Sequence, residues 1–367
     1  MSSSYGVLCV DIGTRFIKSV VVKIDQTQKT ILPETYQITP AIVSLSPNGE
    51  CLCTGVKAKA MFNVQMNQQS SNNFVTDVFS LLGKTLVDWR DFTTFSHPIQ
   101  TTFNDNLKIA VGAKTYYPEE IISMILEDIK YSIKHCNVKE IAFNYLNVEI
   151  GKCMAACSGL KFHKIMKQTY LPTMHSYIVH HSAIISKISL IIIDFGISEL
   201  RITHINSINY LKQTYKNVSS SEFAKLLEIF LLWSENISGS LNERLRLENE
   251  CEKAMVALST RESCQIRLRA GREEKWIVVT RDAFEMAIKQ AVMRFLRIVG
   301  QFVRDKNIDL KISDVILMGG SSNIPLVRRS LEEYIQKPIC EMAVLPEYIT
   351  AHGIASSIIN KITNEKQ

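Results

Sequence analysis

Two short segments of this 367-residue chain set a carboxylate two positions ahead of a glycine, at the end of an apolar run. They are Asp11-Ile12-Gly13-Thr14 and Asp194-Phe195-Gly196, and their aspartates lie 183 residues apart. Glycine lets backbone approach a phosphate closely, and successive N–H groups with the Thr14 hydroxyl can cradle its oxygens. The aspartates can hold a hydrated magnesium ion, which prefers carboxylates and keeps several waters. One Asp-x-Gly-Thr is a common turn. Two of them, with Gly319-Gly320-Ser321 farther on, are more specific, because two facing hairpins would clamp a polyphosphate. Gly83-Lys84-Thr85 imitates the end of a P-loop, but the first glycine of that motif would fall on Val78 and no strand precedes it.

The elements that must position these residues follow from hydrophobic period. Gly6–Val10 and Ile17–Ile24 read as a hairpin, with a turn over Asp11–Thr14. Pro40–Leu45, Glu50–Cys53, Leu107–Gly112 and Glu140–Leu146 read as strands, and polar Asn63–Asn73 as loop. Tyr117-Pro118-Glu119-Glu120 opens a helix with proline at its first position and acids in its first turn. Its Ile121, Ile122, Ile125, Leu126, Ile129 and Ile133 form one face. Val148–Ser158 reads as a helix. The pattern then restarts: strand Leu190–Ile193, a turn over Asp194–Gly196 and a returning strand Glu199–Ile205. Helices Ser221–Trp233 and Leu241–Leu258 follow, then a hairpin of Gln265–Arg269 with Trp276–Val279. Thr280 caps a helix over Asp282–Val303. Val315–Met318 is a strand, and helices follow Pro325 and Pro346. Strand, Asp-x-Gly, strand at the head of each half is an internal duplication.

Composition excludes several classes. Hydrophobic residues are 46% and charged residues 21%, which suits a globular chain and not a disordered one. Lys plus Arg is 42 against 36 Asp plus Glu, a net charge of +6. The basic stretch Arg261, Arg267, Arg269, Arg272 is interleaved with Glu262, Glu273 and Glu274 and belongs to no nucleic-acid motif. Nine cysteines lack zinc or disulfide spacing and read as reduced thiols. Adjacent His180 and His181 point in different directions and do not suit a metal. No apolar run approaches the ~18 residues of a membrane helix. These features favour the cytoplasm or nucleus, with neither membrane nor nucleic acid as partner.

Asp11–Thr14, Thr39-Pro40-Ala41-Ile42-Val43, Gly55-Val56-Lys57-Ala58-Lys59 and Tyr117–Glu120 occur in the order of landmarks of the heat shock protein 70 chaperone family. So do Asp194-Phe195-Gly196, Arg244-Leu245 with Cys251-Glu252-Lys253-Ala254 and Leu258-Ser259, Thr280-Arg281-Asp282-Ala283-Phe284-Glu285, Val315–Pro325, and Leu345-Pro346-Glu347 with Ala351-His352-Gly353. The chain resembles that family over almost its whole length. The segments around Cys251 and Thr280 set it apart from actins and sugar kinases. The resemblance implies an α/β, actin-like ATPase fold, with two duplicated ribonuclease H-like lobes around a central nucleotide cleft. Lobe I would be 1–186, completed by 346–367, and lobe II 187–345, with no substrate-binding domain. It implies ATP or ADP with magnesium. Asp11 and Asp194 would lie near the metal, and Gly13, Thr14, Arg15 and Gly196 beside the phosphates. Lys59 would be the catalytic lysine, with Thr14 beside the reacting phosphates. Glu252 and Ser259 would contact adenosine, and Gly319, Gly320 and Ser321 would form the turn under the nucleotide.

The departures from the family pattern are concentrated in that site. The family's second loop, Asp-Leu-Gly-Gly-Gly-Thr-Phe-Asp, is here Asp194-Phe195-Gly196-Ile197-Ser198-Glu199-Leu200-Arg201. Ile197 and Ser198 replace glycines, Glu199 a threonine and Arg201 an acid. Arg201 either contacts phosphate directly or forms a salt bridge with Glu199. Leu171 stands for a catalytic glutamate, and losing one positioned acid–base group typically costs ~10²–10⁴ in rate. Met255, Val256 and Asn323 replace basic residues flanking adenosine, Ser219 and Ser220 a Gly-Gly pair, and Arg15 a threonine. The reading is a divergent nucleotide-binding domain with ATP binding retained and hydrolysis weak or lost. It would act as a regulatory or interaction module with co-chaperones and have no client groove. The alternatives are an active ATP-dependent chaperone ATPase and, more remotely, a small-molecule kinase.

Overall fold

A computed structural model describes residues 4–25, 31–66, 73–82, 84–85, 97–102, 105–145, 159–169, 189–206, 210–216, 218–235, 241–270, 273–342 and 344–364. Contacts divide the chain into Met1–Ile178 with Tyr348–Gln367, and Val179–Glu347.

The first unit opens with β1 (Ser4–Ile12), β2 (Phe16–Asp25) and β3 (Ile31–Pro40), followed by short strands β4 (Val43–Leu45) and β5 (Cys51–Thr54). Helix α1 (Gly55–Met66) comes next, then β6 (Phe74–Val75), β7 (Ile99–Thr101), β8 (Leu107–Val111) and β9 (Lys114–Tyr116). Helix α2 (Pro118–Ser132), β10 (Val138–Tyr145) and β11 (Lys164–Thr169) follow. The main sheet has the order β11-β10-β1-β2-β3. Its first three strands in sequence form an antiparallel meander, and β10 returns parallel to β1.

Both faces of that sheet are covered, which explains the uninterrupted apolar run of β1. Leu8 and Val10 join Ile121, Ile125 and Leu126 of α2 in one cluster. Val7 and Cys9 turn the other way, onto Ala351, Ile354 and Ile358 of the last helix, Ile349–Asn364. Helix α2 starts as its sequence predicts: Pro118 is at its head, and Tyr117 N donates to Glu120 Oε2 at 2.7 Å.

The second unit repeats the plan. Strands β12 (Ser189–Phe195), β13 (Leu200–Asn206) and β14 (Tyr210–Tyr215) form a meander, and β17 (Asp314–Met318) runs parallel to β12. Between them come α3 (Ser221–Ser234), α4 (Leu241–Leu258), the hairpin β15 (Ser263–Ala270) with β16 (Glu273–Thr280), and α5 (Arg281–Asp305). Helix α6 (Pro325–Ile335) follows β17. Phe195 stacks on Phe295 of α5 at 4.6 Å and meets Phe223 of α3 edge-on, which ties the end of β12 into the core. Thr280 caps α5, its hydroxyl accepting from Ala283 N at 3.2 Å.

Three readings need correction. Asp11, Ile12, Asp194 and Phe195 belong to strands and not to turns, because the ladders run on to Ile12↔Ile17 and Phe195↔Leu200. Helix α1 continues through Asn63 to Met66, so the polar loop cannot begin at 63. Its hold on the fold is a patch of Ala58 with Ile42 and Phe74, too small to show as a periodic stripe. Strands β3 and β14 extend each hairpin into a meander that the sequence reading lacked. The helix expected over Val148–Ser158 lies outside the described residues, as do Leu171, His180 and His181.

Candidate functional site

The first hairpin carries Asp11 at the end of β1. Gly13 N donates to Phe16 O at 3.0 Å to close the turn, and a Cβ on Gly13 would lie 2.9 Å from that oxygen. Asp11 is in register with Lys18 on β2. Directly opposed residues share a sheet face, so their side chains meet. Lys18 Nζ lies 3.5 Å from Asp11 Oδ2, with the side chains 18% and 13% exposed. Arg15, at the tip, reaches Asp77 at 3.2 Å, and Thr14 is half-buried beside it. Lys59 stands on α1, half-buried, with its ammonium 5.1 Å from the centre of the Phe62 ring.

The second hairpin has the same geometry. Gly196 N donates to Glu199 O at 3.0 Å, and Asp194 is in register with Arg201. Arg201 Nη1 lies 3.1 Å from Asp194 Oδ2, while its Nε donates to Glu199 Oε1 at 2.6 Å. Arg201 therefore forms the expected salt bridge to Glu199 and a second one to Asp194. Lys212 of β14 lies in the field of the same three groups. Desolvation and then Arg201 lower its pKa, against the opposing pull of Glu199 and Asp194. The loop itself is held by the start of α3. Ser220 N donates to Gly196 O at 3.2 Å and Ser221 N to Ile197 O at 3.1 Å. Helix N-terminal N–H groups are a ready anion site, and here two of them bind the hairpin's own carbonyls. Ser219 Oγ bonds to Ser221 Oγ at 2.8 Å. Ile197 and Ser198 complete the loop.

The Gly-Gly-Ser turn lies against that hairpin. Gly319 has φ +89°, and a Cβ there would fall 2.6 Å from Phe195 O and 2.9 Å from Asp194 Oδ1. A Cβ on Gly320 would meet nothing within 4 Å among the described residues. Ser321 is 2% exposed and its hydroxyl has no hydrogen-bond partner among the described residues. Such an orphan costs about 1–3 kcal/mol until something satisfies it. Asn323 bonds to Glu347 at 3.0 Å. On α4, Glu252 is half-buried, Met255 packs on the core, Val256 is exposed, and Ser259 Oγ donates back to Met255 O at 3.0 Å.

Among the described residues, the structure brings Asp194, Glu199, Arg201 and Gly319 together, and Asp11 with Lys18. The Gly319–Ser321 turn, expected under a nucleotide, has open space at Gly320 and a buried Ser321 hydroxyl without a partner among the described residues. The donor set does not fit a magnesium ion, because each aspartate faces a side-chain cation at its register position. Lys18, Lys212 and Asp77 were missed from the sequence. The signal for Lys18 was present: Asp11 to Lys18 and Asp194 to Arg201 are both steps of seven residues across a glycine turn.

A family model described as Hsp70 protein matches residues 7–148 and 234–362. The stretch between its two segments holds the second hairpin. A ribosome-associated molecular chaperone of Zygosaccharomyces rouxii is 23% identical over 381 aligned positions, covering 95% of this chain and 60% of that protein. The chaperone protein HscA of Buchnera aphidicola is 25% identical over 278 positions, covering 74% of this chain and 48% of that protein. The chain thus spans 60% and 48% of the lengths of these two relatives.

Proposed function

This chain belongs to the heat shock protein 70 family and has its actin-like ATPase fold, and from that premise we propose that it is a divergent nucleotide-binding domain in which hydrolysis is weak or lost. It binds ATP or ADP and acts as a regulatory or interaction module alongside chaperones and co-chaperones. The observation that carries this reading is Arg201, bound to both Asp194 and Glu199. Phosphoryl transfer depends on charges positioned for the transition state. Here the second hairpin spends its acids on an internal cation, and its loop carbonyls on the start of α3. Leu171 in place of an acid points the same way.

An interaction role is supported by the outward face of β15 and β16. Trp276 is 62% and Val278 61% exposed, and they stand opposite Arg267 and Gln265. Large apolar side chains left in water beside a cation suit a protein partner.

Single-turnover hydrolysis of ATP in magnesium tests the reading. The expected rate is close to that of ATP alone, and Lys59→Ala leaves it unchanged. Turnover that Lys59→Ala abolishes would mean that the chain is a working ATPase.

A further inference from the structure

A cavity of about 460 Å³ opens at the end of α2, wholly within the first unit. Lys130 and Lys134 line it from the last turn of that helix and just beyond, and Lys161 from the segment that leads into β11. Glu127 is the only carboxylate lining it among the described residues, so three lysines against one acid give its walls a charge of +2. Most of the donors are unspent. An ammonium has three N–H groups. Lys130 gives one to Leu160 O at 2.7 Å, and its ammonium lies 4.2 Å from the centre of the Phe162 ring. Lys134 has the Tyr131 ring 5.0 Å away. Among the described residues, no salt bridge engages any of the three lysines. Burial lowers the pKa of Lys130, Glu127 opposes that, and Lys161 lowers it further, so two cations press on each other. A cation at the end of α2 answers the helix dipole. Lys161 serves no helix end, yet it is held at φ +57°, a left-handed backbone that lysine adopts only at a cost.

We propose that this cavity binds a small phosphate monoester, whose oxygens are taken by Lys130, Lys134 and Lys161. The charges match, since such a group carries about −1.5 to −2 at neutral pH and the walls carry +2. The donors match as well. A phosphate monoester offers three strong acceptor oxygens to three ammoniums, where a carboxylate offers two. Each contact is a charge-assisted hydrogen bond. The volume fits too, because it is larger than a phosphate group needs and falls in the ~300–1,000 Å³ range of small-ligand sites. Tyr131 lines the cavity and is 69% exposed, which leaves ring surface for the organic part of the ligand. A dianion beside Lys130 and Lys161 removes the repulsion between them. The site involves neither aspartate hairpin, and it holds whether or not the chain binds a nucleotide.

The test is calorimetric titration of the whole chain with phenyl phosphate, with phenylacetate as its carboxylate counterpart and a phosphoserine peptide as a larger bearer of the same group. Phenyl phosphate should bind with a Kd of about 1 mM or tighter, and phenylacetate about tenfold more weakly or worse. Lys134→Ala combined with Lys161→Asn should weaken phenyl phosphate by about tenfold or more. Both positions are exposed, and asparagine accepts the left-handed backbone. Circular dichroism checks that this variant folds, and Lys134→Ala alone, which leaves the left-handed residue in place, should weaken binding by about threefold. No binding to the wild type at about 10 mM overturns the proposal. So does equal affinity for phenylacetate, or an affinity for phenyl phosphate that neither variant changes. A phosphoserine peptide bound more than about tenfold tighter than phenyl phosphate overturns the small-ligand assignment in favour of a phosphorylated protein.

Discussion

Arg201 concentrates the chemistry of the second hairpin because a guanidinium offers a planar fork where an ammonium offers a point charge. It holds Asp194 through Nη1 and Glu199 through Nε. Removing it takes from two partly buried carboxylates the cation they share, with Lys212 in the same field. Arg201→Ala should lower unfolding stability by about 1–3 kcal/mol, read from urea midpoints at constant m-value. Arg201→Lys should recover less than half of that, since it cannot engage both acids in one geometry. A second residue-scale prediction concerns His204. Its Nε2 shares a 2.8 Å hydrogen bond with Ser189, which bonds in turn to Ser313 at 2.7 Å, and its Nδ1 is buried without a partner among the described residues. Burial lowers its pKa from 6.5. The unfolded chain therefore takes up this proton first as the pH falls. The stability contribution is full above pH 6.5 and declines below it, toward the folded value. Melting temperature should drop between about pH 7 and about pH 5, and His204→Gln should flatten that slope whatever it does to the absolute value.

At the scale of elements, the turn after β17 separates two glycines that look alike in sequence. Gly319 combines φ +89° with a backbone oxygen 2.6 Å from any Cβ, whereas Gly320 faces open space. Gly319→Ala should cost about 2 kcal/mol or more, because Phe195 O belongs to a strand fixed by its stacked ring and cannot retreat. Gly320→Ala should change the melting temperature little. Thermal unfolding of the pair checks this, and equal losses would mean the turn is loose. Sequence alone read both as one turn, since positive φ and close approach arise only when β17 is laid beside β12. The same limit hid the β1 and β12 ends. Periodicity finds an apolar run, but the ladder that extends it through Asp11 and Asp194 depends on the partner strand. Long amphipathic helices were legible, as α2, α4 and α5 show, because a broad stripe facing the core is written directly in the spacing. Helix α1 was not, because it buries only a small patch around Ala58. The hairpin aspartates were legible from residue type. Their cation partners were written in a seven-residue step whose meaning needs the ladder register.

Across the whole molecule, the chain leaves the first unit after Ile178 and comes back to it at Tyr348. The return is structural, because the last helix covers the sheet face that α2 does not. Ala351, Ile354, Ala355 and Ile358 pack on Val7, Cys9, Val20, Val22 and Ala142, all at most 2% exposed. Without that helix, these side chains of β1, β2 and β10 would face water, and the hairpin carrying Asp11 and Lys18 would lose support on one side. Ile354 is fully buried in this cluster. Ile354→Ala should therefore destabilise the first unit by about 2–5 kcal/mol. If the units unfold separately, denaturant curves will show the loss in one transition, and Phe295→Ala on α5 will shift the other. A single transition shifted by both variants would instead mean that the units unfold together. Nucleotide protection then gives an independent check at this scale. If the chain binds ADP, ADP should raise the melting temperature of the wild type, and should do so less well when Ile354→Ala has loosened the sheet that sets the Asp11–Lys18 register.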